Sequence, residues 1–339
     1  MYDRTVTFLQ FDLKTEVVIE SARSLVLPTV TLCNANFLSR RALKAFDYDI
    51  ISNVTYAISG DIHRNIASLY ASDGFSANMQ LPLDWMETYW AAVSEYEIVE
   101  REIMTKHQVS PDEFSVDQWL LRTGWQLGGD GKSPMIQCRV GRIPCFVEDF
   151  QPVLTPQGLC YSLSNKEARF VQKAPGALAG LNVFINLDQE DYTSFNLLGH
   201  QQFECGIKVI LHDWHKIPDV GQSVGIPPGM SGFVSLEAST RKIDAEPPWS
   251  RCVQSKTEHE AIPYSEEKCL KQCEAKQTVD DCGCRLWYEP GNATICGVAR
   301  TTACLLFKEL GTTFLYDLAF FSFIYFLFKF KFSSWGSCS

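Results

Sequence analysis

The chain has 339 residues, 46% of them apolar, and a formal net charge of −10. That length and apolar share can fill one large core or two ordinary ones. The acidic balance argues against nucleic acid as a partner, because phosphate binding needs a Lys/Arg surface; it fits a solvated surface or one that attracts cations.

Thirteen cysteines point to an oxidising compartment. Two sequons agree with it, Asn53-Val54-Thr55 and Asn292-Ala293-Thr294, and make Asn53 and Asn292 candidate glycan acceptors. Met1 opens onto YDRTVTFLQFDLKTEV, which has no apolar segment of the signal-peptide kind. A disulfide-rich chain needs a way across a membrane, so the expectation is a different start or a membrane segment upstream. No stretch reaches the ~20 apolar residues of a spanning helix. The nearest approach is Leu318 to Phe328, bounded by Asp317, Lys329 and Lys331.

Residues 5–20 alternate like a strand. SLVLPTVTLCNAN follows, β-branched before Cys33 and carrying Pro28, which suits an edge or entry strand. From Phe37 to about His107 the spacing turns helical. Trp85, Tyr89, Ala92, Val93 and Tyr96 share one face as a packing stripe, Glu95, Glu97, Glu100 and Glu102 fall mostly elsewhere, and Asp84 suits the cap. SPDEFSVDQWLLRTGWQLGG reads as a further helix broken by glycines. GGDGKS is not a phosphate loop, since Gln126 stands where the leading glycine belongs. Cys138 to Cys145 encloses a short loop suited to a local disulfide. LNVFINLDQEDY, FECGIKVILHDW and SGFVSLEAST then alternate as strands. His212-Asp213-Trp214-His215, with His200 and Cys205 nearby, resembles a metal cluster, but residues three apart on a strand point to opposite faces. A strand ending in a polar turn explains it better.

The densest chemistry runs from Trp249 to Cys304: Cys252, Cys269, Cys273, Cys282, Cys284, Cys296 and Cys304. Ser265 and Glu266-Glu267 suit a helix start, and Cys269 and Cys273, four apart, share one helical face. Cys282-Gly283-Cys284 is too tight for a strain-free mutual bridge, so each reaches elsewhere; Cys296 and Cys304 are within short range. A zinc site lacks its second ligand pair, and no cysteine has a nucleophile motif. A disulfide framework with no catalytic residue, metal or cofactor is the reading these residues support.

At this point the motifs match a family. LPTVTLCNAN, CRVGRIPC, DFQPVLTPQGLCYSLSN, GLNVFINLDQEDY, IPPGMSGFVSLEAS, PPWSRC and the cysteine cluster resemble, in order over residues 5–304, the extracellular region of the degenerin, epithelial sodium channel and acid-sensing ion channel superfamily. The resemblance implies an α+β fold with a β-rich palm and β-ball, a helical finger and a disulfide-stapled thumb. It places the finger at roughly 37–150, the palm and β-ball at roughly 5–36 and 151–248, and a partial thumb at 249–304, with residues 305–339 an atypical Phe-rich tail that is non-native or a short anchor. The implied bridges are Cys33–Cys160, Cys138–Cys145, Cys282–Cys304 and Cys284–Cys296, with Cys252, Cys269 and Cys273 left unpaired because the family partners lie downstream of Cys304. Trp249 matches a thumb-base tryptophan that couples to the pore through an aromatic residue, here Phe11. Cys205 reads as a free buried thiol. His200 and Gln201 stand where acid-sensing members carry acids, which argues against proton sensing.

The implied function is a non-enzymatic subunit of a trimeric, amiloride-sensitive, sodium-selective channel at the plasma membrane. Its partners would be homologous subunits, sodium ions and a peptide or small-molecule ligand. The alternative is a secreted or surface disulfide-rich binding domain without channel activity; a zinc or thiol enzyme is a third, weaker reading.

Overall fold

In the computed structural model the described residues are 17–18, 24–71, 83–128, 134–165, 169–197, 204–214, 216–237, 239 and 266–308. In chain order the first elements are β1 (Leu25–Val26), β2 (Thr29–Asn34), α1 (Ala45–Ile50), a π-helical turn (Ile51–Thr55), α2 (Tyr56–Ala71), α3 (Leu83–Lys106) and α4 (Val116–Thr123). Then come β3 (Met135–Val140), β4 (Ile143–Pro144), β5 (Phe150–Thr155), β6 (Gly158–Leu163), β7 (Val171–Gln172), β8 (Leu181–Ile185), β9 (Ile207–His212) and β10 (Val224–Ile226). α5 (Glu266–Cys282) and α6 (residues 298–308) close the described chain.

The main sheet is antiparallel, in the order β10-β9-β2-β6-β5. β2 lies at its centre, and all six of its residues are buried. Its alternation sorts them onto two faces. Val30 and Leu32 join a core with Trp125, Leu127, Phe150, Leu163 and Phe170. Cys33 faces the other way and packs with Cys160 and Ile210. On that second face Thr31 Oγ1 lies 2.6 Å from Ser162 Oγ and 2.8 Å from His212 Nε2. Burial pulls the His212 imidazole below the ordinary histidine range, which favours its neutral form. Pro28 separates the two-residue edge pair β1–β7 from β2, as a residue without a donor does.

A second sheet, β4-β3-β8, turns tightly at Gly141, whose φ of +58° suits glycine. The helices form another layer with their own core, including Phe46, Ile50, Val93, Trp119 and Leu120. Asp47 is buried among them. It accepts from Trp119 Nε1 at 2.7 Å, Arg122 Nη2 at 2.6 Å and the Lys44 amide at 2.7 Å, which ties α1 to α4. Three partners offset the cost of burying that charge.

Two expectations need correction. Residues 231–237 take no strand, although SGFVSLEAST alternates; Phe233 there is 83% exposed. Alternation makes a strand only where a neighbour completes the ladder, and these residues pair with none among those described. Asp84 lies within α3 rather than before it. The strand expected over 5–20 lies outside the described residues, except for Val17 and Val18, which take no strand. No helix of the described residues is long and apolar enough to cross a membrane.

Candidate functional site

α3 carries Tyr89, Val93, Tyr96, Glu100, Ile103 and Met104 at helical intervals of three and four, so they share a face. Tyr89, Val93, Ile103 and Met104 are buried in the helical core. Ala92, expected on this stripe, is exposed. Glu100 lies on the stripe and is 6% exposed, whereas its charge had placed it outward. Both of its oxygens accept hydrogen bonds at 2.9 Å, from the amides of Val298 and Ala299. These are the first residues of α6, so Glu100 satisfies two donors that have no partner inside that helix and faces its positive end. A β-carbon on Gly297 would lie 3.1 Å from Glu100 Oε1, so a larger residue there would push the carboxylate by a few tenths of an ångström.

Three further contacts hold α3 against α6. Arg300 Nε donates to Glu97 Oε1 at 2.6 Å. The Arg300 guanidinium lies 5.5 Å from the ring centroid of Trp90, within the range of a cation–π contact. The Tyr89 hydroxyl donates to Ala303 O at 2.6 Å. On the opposite flank the Tyr96 hydroxyl donates to Asp61 of α2. Burial, reinforced by that carboxylate, pushes the Tyr96 phenol up to about 12.

Burial raises the Glu100 carboxyl above its ordinary range, although the two amides pull the other way. Replacing Glu100 with alanine should cost about 2 kcal/mol, because two amides lose their cap. Glu100→Gln keeps one acceptor but sets an NH2 group against a backbone donor, and should fall between. Urea denaturation of the three proteins checks this order. The pH dependence has a definite sign. A carboxyl whose folded pKa exceeds its unfolded value of 4.5 contributes stability that is full below 4.5 and is lost as pH rises through the folded value. The stability advantage of wild type over Glu100→Gln should therefore shrink across that window; an advantage that grows with pH would refute it.

The other side of the joint is the disulfide-bonded segment. Cys282–Cys304 and Cys284–Cys296 tie α5, the intervening loop and α6 into one unit. Inside it, buried Glu289 accepts from Lys308 Nζ at 2.7 Å, Thr278 Oγ1 at 2.7 Å and the Leu286 amide at 3.0 Å. Trp287 then reaches out of the unit. Its Nε1 donates to Thr155 O at 3.0 Å, at the end of β5, and its ring meets Phe37 edge-on at 6.1 Å. The unit is thus fastened to the helices through Glu100 and to the main sheet through Trp287.

The remaining candidate residues are dispersed. Cys33–Cys160 bridges neighbouring strands β2 and β6, and Cys138–Cys145 spans the β3–β4 hairpin. Cys273 is disulfide-bonded, which corrects its assignment as unpaired; spacing along a helix shows which thiols share a face, but only proximity in space selects a partner. Cys269 lies half-buried one turn earlier on α5. Cys205 is a free thiol but exposed, not buried: it precedes β9 rather than entering the sheet. Asn53 is exposed in the π-helical turn, and Asn292 is exposed in the loop between Cys284 and Cys296. Phe11, His200, Gln201, His215, Trp249 and Cys252 lie outside the described residues. Among the described residues no group of three or more His, Cys, Asp or Glu is placed to hold a metal ion. The fastening residues Glu100 and Trp287 were not singled out by sequence. The signal for Glu100 was its spacing of four from Tyr96 and seven from Val93, which its charge masked.

Residues 2–323 match the family model described as amiloride-sensitive sodium channel. Human acid-sensing ion channel 2 is 27% identical over 308 residues, covering 89% of this chain and 55% of that protein. Zebrafish acid-sensing ion channel 1A is 26% identical over 299 residues, with 87% and 54% covered. The mouse bile acid-sensitive ion channel is 24% identical over 312 residues, with 90% and 55% covered. The chain spans about half the length of the curated relatives it matches. The family match takes in the main sheet, the helical layer and the disulfide-bonded unit alike, and on that ground the chain belongs to the amiloride-sensitive sodium channel family.

Proposed function

We propose that the chain is the extracellular part of one subunit of a trimeric, sodium-selective, amiloride-sensitive channel at the plasma membrane. The observation that carries this reading is the family match over residues 2–323. In this reading residues 37–150 form the finger, residues 5–36 and 151–248 the palm and β-ball, and residues 249–304 a partial thumb. A stimulus arriving outside the cell moves the thumb, and the pore responds. Two fastenings support that role: Glu100 on the amides of α6, and Trp287 on the end of β5. They give a displaced thumb a path to both the finger and the palm. Trp249 and Phe11 carry the movement onward to the membrane, and homologous subunits complete the pore.

Co-expression with human acid-sensing ion channel 2 tests the assignment. The expected result is a mixed trimer at the cell surface, seen by cross-linking, together with a changed amiloride-blocked sodium current. Secretion of this chain as a monomer that leaves the current unchanged would instead make it a disulfide-rich binding domain.

A further inference from the structure

We infer that Asn292 is an N-glycosylated residue and that Asn53, which carries the same three-residue signal, is not. The two sequons differ in how the fold presents them. An acceptor must offer its Asn amide and the hydroxyl two residues later on one accessible side. Asn53 and Thr55 both lie in the π-helical turn Ile51–Thr55. Residues two apart on a helix do not face each other, and the burial follows that rule: Asn53 is exposed while Thr55 is 0% exposed. The Asn53 amide is also engaged, since Nδ2 donates to Asp49 O at 2.9 Å. This helical stretch is contiguous from Ala45 to Ala71, so the signal lies inside a regular helical run and not at a loop tip.

At the second site Asn292 and Thr294 are both exposed. Gly291, with φ of +131°, takes a backbone conformation that favours glycine just before them. The backbone beneath is pinned from inside: Arg285 Nε donates to Ala293 O at 2.8 Å, and the Arg285 amide donates to Thr294 O at 3.0 Å. The Cys284–Cys296 bridge closes the loop at its base. The acceptor therefore stands at the tip of a braced loop and reaches solvent without disturbing the packing below.

The donor is a lipid-pyrophosphate-linked oligosaccharide. Asn292 Nδ2 gives up one proton and forms a bond to C1 of the first sugar. The bond from C1 to the phosphate oxygen breaks, and the lipid pyrophosphate leaves with its electron pair. A bulky hydrophilic chain at this tip keeps residues 291–294 facing solvent, so contacts between subunits avoid this corner of the disulfide-bonded unit.

The inference rests on the extracellular placement proposed above, and its test reads the two separately. The full chain is produced in a eukaryotic secretory host and digested with peptide-N-glycosidase, and its intact mass and disulfides are mapped. One glycan mass should be lost on digestion. That loss should vanish in Asn292→Gln and in Thr294→Ala and persist in Asn53→Gln. A loss that survives Asn292→Gln, or no loss from a protein with the Cys284–Cys296 bridge formed, overturns the inference alone. Absence of both glycan and bridge overturns the extracellular placement as well.

Discussion

Replacing Cys33 and Cys160 together by alanine should lower stability by about 3–5 kcal/mol. The two residues are 127 apart in sequence and face each other across β2 and β6. In the chain-entropy account, closing a loop of that length removes far more freedom from the unfolded chain than closing a short one. Both residues are 0% exposed, so the alanine pair also leaves a small void beside Ile210. The comparison that decides the mechanism is Cys138–Cys145, which closes a loop of only 7 residues and should contribute about 2 kcal/mol. Denaturant unfolding of both double variants under non-reducing conditions measures the difference. Equal losses would show that the bridges act through local packing rather than through the unfolded chain.

Trp287→Ala should cost about 3–5 kcal/mol, in the range for deleting a large buried aromatic side chain. The ring is 6% exposed and meets Phe37 and Tyr288 edge-on, at 6.1 and 5.0 Å. Its removal opens a cavity and leaves Thr155 O without its indole donor in a buried setting. Trp287→Phe separates these causes. It keeps most of the packing and loses the hydrogen bond, so it should cost only about 1–2 kcal/mol. Shifts in the denaturation midpoint check the pair, and hydrogen exchange at the end of β5 locates the loosened contact. If the phenylalanine variant loses as much as the alanine variant, the hydrogen bond rather than the ring holds the unit to the sheet.

Trp287 and Glu100 owe their roles to partners that the local sequence does not reveal. A tryptophan just after a Cys-Gly-Cys turn looks like local packing within the stapled segment. Its partner Thr155 is 132 residues away, and nothing in the local pattern points there. Glu100 failed for a different reason. Its position on the α3 stripe was readable from the spacing, but a carboxylate is normally assigned to solvent. It is tolerated inside because two unpartnered amides of α6 meet it. The residues of SGFVSLEAST erred in the opposite direction, since alternation was present and a pairing strand was not.

The sequence by itself determined the elements whose causes are local. β2 follows from a β-branched run behind a proline. The helices of residues 45–123 follow from their periodicity, and the separate destinations of Cys282 and Cys284 follow from the single glycine between them. The family, too, could be read from motifs in chain order. Tertiary structure alone decided what fastens the disulfide-bonded unit to its neighbours, which thiols are engaged, and which of two Asn-x-Thr glycan signals stands open. Those outcomes depend on contacts between residues far apart in the chain. A buried charge or a distant carbonyl gains its meaning only when the fold supplies the partner.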